Sequence, residues 1–139
     1  MRQAKGRLTV ETGGGDLVEV TDQAARWLSQ QGLSDGLLTI FCRHTSASLI
    51  IQENADPDVQ RDLIAYFRRL VPEGDPLYRH TDEGPDDMPA HVRAALTQTQ
   101  LSIPFEQGRL VLGTWQGIYV FEHRRRPHRR ELVLHALGD

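Results

Sequence analysis

Asp35-Gly36-Leu37-Leu38-Thr39-Ile40-Phe41-Cys42-Arg43-His44-Thr45-Ser46-Ala47-Ser48-Leu49-Ile50-Ile51-Gln52-Glu53 is the stretch on which the fold class turns. Residues 37–43 and 46–52 are dense apolar runs, and only the polar pair His44-Thr45 parts them. Runs of this kind after a turn signal such as Asp35-Gly36 predict two strands, or one bent strand, with a polar bend between.

The pattern continues on both sides. Residues 7–11 and 16–20 alternate apolar and polar around Gly13-Gly14-Gly15, which predicts two strands and a turn. Thr21 or Asp22 is placed to cap a short helix with Ala24, Trp27 and Leu28 on one face and Gly32 at its end, lying on the sheet. Downstream, Asp56-Pro57 is a strong helix start, since the Asp side chain can accept an orphan amide and Pro at the first helical position forfeits nothing. Val59, Leu63, Ile64, Phe67 and Leu70 follow helical spacing, Arg68 and Arg69 suit the negative end of the dipole, and Pro72 stops the helix.

Residues 72–89 are acidic and rich in Pro and Gly. Loops beyond about 12 to 15 residues usually carry function or are disordered. A third helix is expected over residues 89–98, with His91 in its first turn, followed by strands over 101–105, 109–112, 117–122 and 131–137. Strands outnumber helices, so the expectation is an α+β fold: an antiparallel β-sandwich with two or three flanking helices, in a single domain over residues 1–139.

A chain of 139 residues with 39% hydrophobic content can bury about 70% of its unfolded surface, so it needs neither disulfide nor structural metal merely to fold. The lone Cys42 cannot pair within the chain and is expected to be a small buried hydrophobe. Met1-Arg2-Gln3-Ala4-Lys5 lacks the apolar run of a signal peptide, and no stretch approaches the roughly 20 apolar residues of a membrane helix. The cytoplasm is the expected compartment. A net charge of −3 disfavours nucleic acid, although residues 123–130 hold five arginines in eight positions. That run suits either phosphate binding or a charged hairpin tip that keeps a sheet edge soluble.

Three histidines could carry chemistry. His44 ends a strand, His80 lies in the long loop and His91 opens a helix. Neutral imidazole is the commonest metal ligand, and three of them leave a position open for water or substrate. Their separation matches no short zinc motif, so hydrogen-bonded histidines without a ligand are the alternative. Glu53, Asp56, Asp82, Glu83, Asp86 and Asp87 supply carboxylates that could ligate, orient an imidazole or act as a base; for Asp56, helix capping comes first. Thr45, Ser46 and Ser48 have no nucleophile motif around them and suit phosphate contacts better than a triad. Gly113-Thr114-Trp115-Gln116-Gly117 is either a turn whose Trp fills the core or a binding wall.

Two blocks resemble the YjbQ family: His44-Thr45-Ser46-Ala47 with Glu53-Asn54-Ala55-Asp56-Pro57-Asp58-Val59, and Ser102-Ile103-Pro104 through Gly113-Thr114-Trp115-Gln116-Gly117-Ile118. His80, Ala90-His91 and Arg129-Arg130 also match, so the resemblance spans nearly the whole chain. It implies a jelly-roll-like sandwich, assembly as a homotrimer, and a cleft lined by the matched histidines. It further implies secondary thiamine-phosphate synthase activity, a transfer joining a pyrimidine pyrophosphate to a thiazole phosphate with loss of pyrophosphate. On that basis His44, His80 and His91 would hold a divalent metal such as zinc, and Glu53 or Glu122 would position or deprotonate a group. Thr45, Ser46, Asn54, Trp115, Gln116, Arg129 and Arg130 would contact the phosphorylated substrate. The alternative is a trimeric ligand-binding or regulatory module without turnover. Residues 81–89 depart from the family's Asn/Gly-rich stretch, which leaves the loop contacts least transferable.

Overall fold

A computed structural model describes all residues from Met1 to Asp139. In chain order the elements are β1 (Arg2–Glu11), β2 (Leu17–Glu19), α1 (Thr21–Ser29), β3 (Gly36–Cys42), β4 (Ala47–Glu53), α2 (Pro57–Leu70), α3 (Asp87–Leu96), β5 (Gln100–Glu106), β6 (Arg109–Leu110), β7 (Gln116–Glu122) and β8 (Arg129–Gly138). Two antiparallel sheets, ordered β1-β8-β3-β5-β6 and β2-β7-β4, are flanked by three helices. This is the α+β arrangement that the strand count implied.

The opening stretch does form two strands, and the bend at residues 43–46 carries the chain from one sheet to the other. Their side chains then meet again in one core, where Leu38, Ile40 and Cys42 of β3 pack with Ala47 and Leu49 of β4. Ile103, Ile118, Val120, Leu132 and Leu134 join the cluster from other strands, and Ala24 and Leu28 from α1. Alternation along β8 explains why one face of that strand is buried throughout, since Cβ vectors on a strand point to opposite faces in turn.

α2 lies on the outer face of the smaller sheet. Phe67 meets Phe121 of β7 edge to face with ring centroids 5.3 Å apart, and Gln60 donates to the Tyr119 hydroxyl at 2.9 Å. Asp56 is the N-cap, accepting from the Asp58 amide at 2.9 Å, as Asp56-Pro57 promised. Yet no α2 residue is fully buried, and Tyr66 and Leu70 are each 51% exposed. An apolar groove of about 490 Å³ runs beside it, lined by Ile50, Ile51, Leu63, Phe67, Leu96 and Leu101.

α1 sits over β1 because Gly6 has no side chain: a Cβ there would stand 2.1 Å from Nε1 of Trp27. Its cap differs from the expectation. Val20 is the N-cap and makes no side-chain bond, while the Thr21 hydroxyl accepts the Ile118 amide at 2.8 Å and donates to Glu19 at 2.8 Å. Thr21 thus ties the helix start to β7 instead of capping its own helix.

Other boundaries differ as well, with β1 beginning at Arg2, five residues before the strand expected over residues 7–11. β6 is only Arg109–Leu110, shorter than the strand expected over residues 109–112. α3 begins at Asp87, two residues before Pro89, which falls within the first turn where backbone amides have no helical partner to lose. No helix is long and apolar enough to cross a membrane.

Candidate metal centre

The turn of α3 that begins at Asp87 gathers two histidines around one carboxylate. Asp87 and His91 are separated by four residues and therefore share a helix face. His80 reaches them from the preceding loop. Oδ2 of Asp87 lies 2.7 Å from Nε2 of His80 and 3.0 Å from Nε2 of His91. The two imidazole centroids are 5.4 Å apart. Asp87 is almost wholly buried at 2% side-chain exposure, whereas His80 is 48% exposed, so the cluster has a dry floor and an open mouth.

The surroundings set its protonation. Burial alone would raise the Asp87 pKa, but hydrogen bonding from His80 and the nearby His91 and Arg124 outweigh it and hold the carboxyl below its usual range. Arg124 donates to Oδ1 of Asp87 at 2.7 Å and through Nε to Oδ2 of Asp86 at 3.0 Å. Asp86 also accepts the Arg125 amide at 2.9 Å, which pins residues 124–125 beside the cluster. An open recess of about 410 Å³ adjoins it, walled by Glu83, Asp86, Arg124, Arg125 and Arg126.

His91 has a more telling geometry. Its Nδ1 is 2.9 Å from the Thr45 carbonyl, which can only accept, so Nδ1 carries the proton. A neutral ring then presents the bare lone pair of Nε2 to a carboxylate oxygen 3.0 Å away, and two acceptors repel at that distance. Either a second proton or a metal cation resolves the contact. His80, Asp87 and His91 bring their donor atoms within 4.8 Å of one another, and two imidazoles with one carboxylate form a catalytic-type zinc donor set. The donor set fits a divalent cation.

A family model described as UPF0047 protein YjbQ-like matches residues 6–139. The chain belongs to the YjbQ family. A UPF0047 protein from Synechocystis sp. is 52% identical over 138 residues, covering 99% of this chain and 94% of that protein. The UPF0047 protein YjbQ of Escherichia coli O157:H7 is 40% identical over 121 residues, covering 86% and 87%. Among solved structures, a YjbQ/UPF0047 family protein from Clostridium acetobutylicum has a TM-score of 0.85 at 36% identity, covering 94% of this chain and 98% of that one. A hypothetical protein from Aeropyrum pernix K1 has a TM-score of 0.89 at 31% identity, covering 98% and 99%.

Within one chain the structure divides the residues expected to form a site into three groups. Thr45 joins the His80–Asp87–His91 cluster through its backbone carbonyl. His44, although adjacent in sequence, does not: its Nε2 accepts the Glu131 amide at 2.8 Å. Its lone pair is therefore committed to β8, and Asp87 takes the place that the sequence offered to His44. Burial, then Arg130, lower the His44 pKa, so the ring is held neutral.

The second group surrounds Arg130. Its guanidinium makes paired bonds to Glu122, through Nε at 2.8 Å, and donates to the Ser46 hydroxyl at 3.0 Å. Glu122 is fully buried and also accepts from Thr12 at 2.6 Å and the Arg124 amide at 3.0 Å. Burial would raise its pKa, but those donors prevail and keep it low. With its oxygens engaged in this way, Glu122 anchors Arg130, which is the positioning half of its expected role. Ser46 and Arg130 are held as firmly. Arg129 is exposed and pairs with Glu11 at 2.9 Å.

The third group lies at the far end of β4, roughly 20 Å away at about 3.4 Å per residue. Asn54 donates to Glu19 at 2.9 Å, Gln116 accepts the Gly113 amide at 2.8 Å, and Trp115 is 61% exposed. Glu53 sits opposite Gln116 in the sheet and offers its backbone carbonyl to Gln60 at 2.8 Å. The structure does not bring these four to the histidine cluster of the same chain. Asp87 and Arg124, in contrast, carry more of the site than the sequence assigned them. The Asp87-x-x-x-His91 spacing was the available signal, hidden once the helix was started at Pro89.

Proposed function

We propose that this YjbQ-family chain is a small metal-dependent enzyme acting on phosphorylated small molecules, with a divalent cation of the zinc class at His80, Asp87 and His91. The orientation of His91 carries the proposal, because its protonated Nδ1 is spent on Thr45 and its Nε2 faces a carboxylate. When bound, such a cation supplies Lewis-acid stabilisation of charge on phosphate oxygens. Thr45 fixes the His91 tautomer, Arg124 holds Asp87 charged and oriented, and Arg125 and Arg126 line the recess where an anionic substrate would approach. The family resemblance makes thiamine-phosphate synthase-type transfer the reaction to assay, with the pyrophosphate leaving group meeting this basic wall. Zinc content near one per chain in desalted protein, lost in His91→Ala and Asp87→Asn, and pyrophosphate release lost in the same variants, would support it. Protein that takes up no metal after incubation with zinc would sink it.

The second reading is a homotrimeric binding module without turnover, and a different observation favours assembly. The groove beside α2 leaves Leu63 and Phe67 only half-covered although helical spacing aims them inward. A trimer in solution that becomes monomeric in Leu63→Glu would place the contact there. Steady product formation by metal-replete protein, abolished by Asp87→Asn, would then separate an enzyme from a module.

A further inference from the structure

Only two buried side-chain nitrogens lack a hydrogen-bond partner, Nε of Arg93 and Nδ1 of His123. They line the same recess, which shares no residue with the His80–Asp87–His91 cluster. His123 is 2% exposed. Its Nε2 is 2.8 Å from the Ser48 hydroxyl, which receives the Thr97 hydroxyl at 2.6 Å. The Thr97 hydroxyl also lies 2.9 Å from the Arg93 carbonyl, so this chain of hydroxyls links His123 to α3, while Nδ1 of His123 has no partner. Arg93 is anchored by one bond from its terminal nitrogen to the Val71 carbonyl at 2.7 Å, leaving Nε–H as a second donor.

The charge around this pair is unbalanced. The outer part of the recess measures about 310 Å³ and is walled by Arg68, Arg93 and Arg125 with His123 at its back. Glu73 at the rim pairs with Arg125 at 3.2 Å, and Glu122 on the inner wall is held by Arg130. Arg68 and Arg93 make no ion pair and contribute two uncompensated guanidinium charges. Burial and then the charge of Arg93 push the His123 pKa down to about 3, consistent with a positive local field. A buried donor without a partner costs free energy, and the Arg93 Nε–H beside surplus positive charge calls for an acceptor that is also an anion.

We propose that this recess is a phosphate-binding site, taking the phosphate group of a small phosphorylated molecule or inorganic phosphate itself. Arg68 and Arg93 match the charge of the dianion, and Arg93 Nε–H donates to one of its oxygens. The site depends on no metal, so it stands or falls separately from the His80–Asp87–His91 centre.

The test is calorimetric titration of the full chain with inorganic phosphate and, separately, with glycerol phosphate, at neutral pH and low salt. The expected result is saturable binding with one site per chain, weakened roughly tenfold or more in Arg68→Gln and Arg93→Gln, as loss of a charged hydrogen bond implies, and unchanged in His80→Ala. Arg68 is exposed, so that variant keeps its fold even if Arg93→Gln does not. Tighter binding of the ester assigns the site to a phosphorylated metabolite, and equal binding assigns it to the phosphate group alone. The proposal is overturned by absence of saturable heat, or by a folded Arg68→Gln that binds as wild type. It is equally overturned if crystals grown in phosphate show a single water bridging Arg93 and His123, for which the inner volume of about 10 Å³ has just room.

Discussion

Arg124 grips one oxygen of Asp87 at 2.7 Å and leaves the other to two histidines. One carboxylate thereby joins the β7–β8 connection, α3 and the long loop, and its charge is shared between a permanent cation and two conditional ones. Asp87→Asn should cost roughly 1–3 kcal/mol in urea unfolding, because Arg124 loses one of its two carboxylate partners and keeps only Asp86. Metal content should fall with it. An Asp87→Asn protein as stable as wild type would mean that Asp86 alone suffices to hold Arg124.

The pH dependence of stability should expose His123. Its pKa is about 3 in the folded chain against an ordinary 6.5, so the unfolded chain takes up the proton first as pH falls. Its stabilising contribution is complete above about pH 6.5 and declines through the window down to about 3, by up to about 1.4 kcal/mol per pH unit. Asp86, Asp87 and Glu122 have lowered pKa values and act further into acid, below the ordinary carboxylate range near pH 4. Denaturant titrations at pH 7, 6 and 5 should therefore show wild type losing stability faster than His123→Gln. Parallel losses would count against a neutral buried imidazole.

Cys42 should be chemically silent. Burial is the main cause that drives its thiol up to about 11, and the residue is 1% exposed. A thiol reagent at pH 8 should label the native chain slowly and label it at once in denaturant. Fast native labelling would show that β3 opens locally.

Gly6→Ala tests how α1 is seated. The new methyl group would meet the Trp27 indole 2.1 Å away, so the ring must swing out or β1 must shift, at a cost of about 1–3 kcal/mol. In a Trp115→Phe background, where Trp27 is the sole tryptophan, emission should move to longer wavelength. Unchanged emission and stability would show that the indole has another resting place.

Local pattern was enough for most elements, and the failures are informative. Asp56-Pro57 announced α2 because capping chemistry and the Pro φ are properties of adjacent residues. Pro89 misled because a Pro suits any position in the first turn, and moving the start back to Asp87 is what turns the Asp87–His91 spacing into a shared face. Thr21 misled for a longer-range reason, since its hydroxyl serves β7, which lies 97 residues away in sequence. His44, His80 and His91 were all legible as imidazoles, but which of them has a free lone pair was not. His44 loses its own to an amide on β8, and Asp87 enters because a loop folds back on a helix.

The sequence by itself determined the strand and helix inventory, the α+β class and the YjbQ relationship, since these rest on periodicity, turn chemistry and motifs that neighbouring residues carry. Only the tertiary structure decided that Asp87 joins His80 and His91, that Glu122 is spent on Arg130, and that Arg93 Nε and His123 Nδ1 are left without partners. Each of those outcomes depends on which polar groups compete for the same partner once water has been removed. That competition is settled by packing between residues distant in the chain, where no local pattern records it.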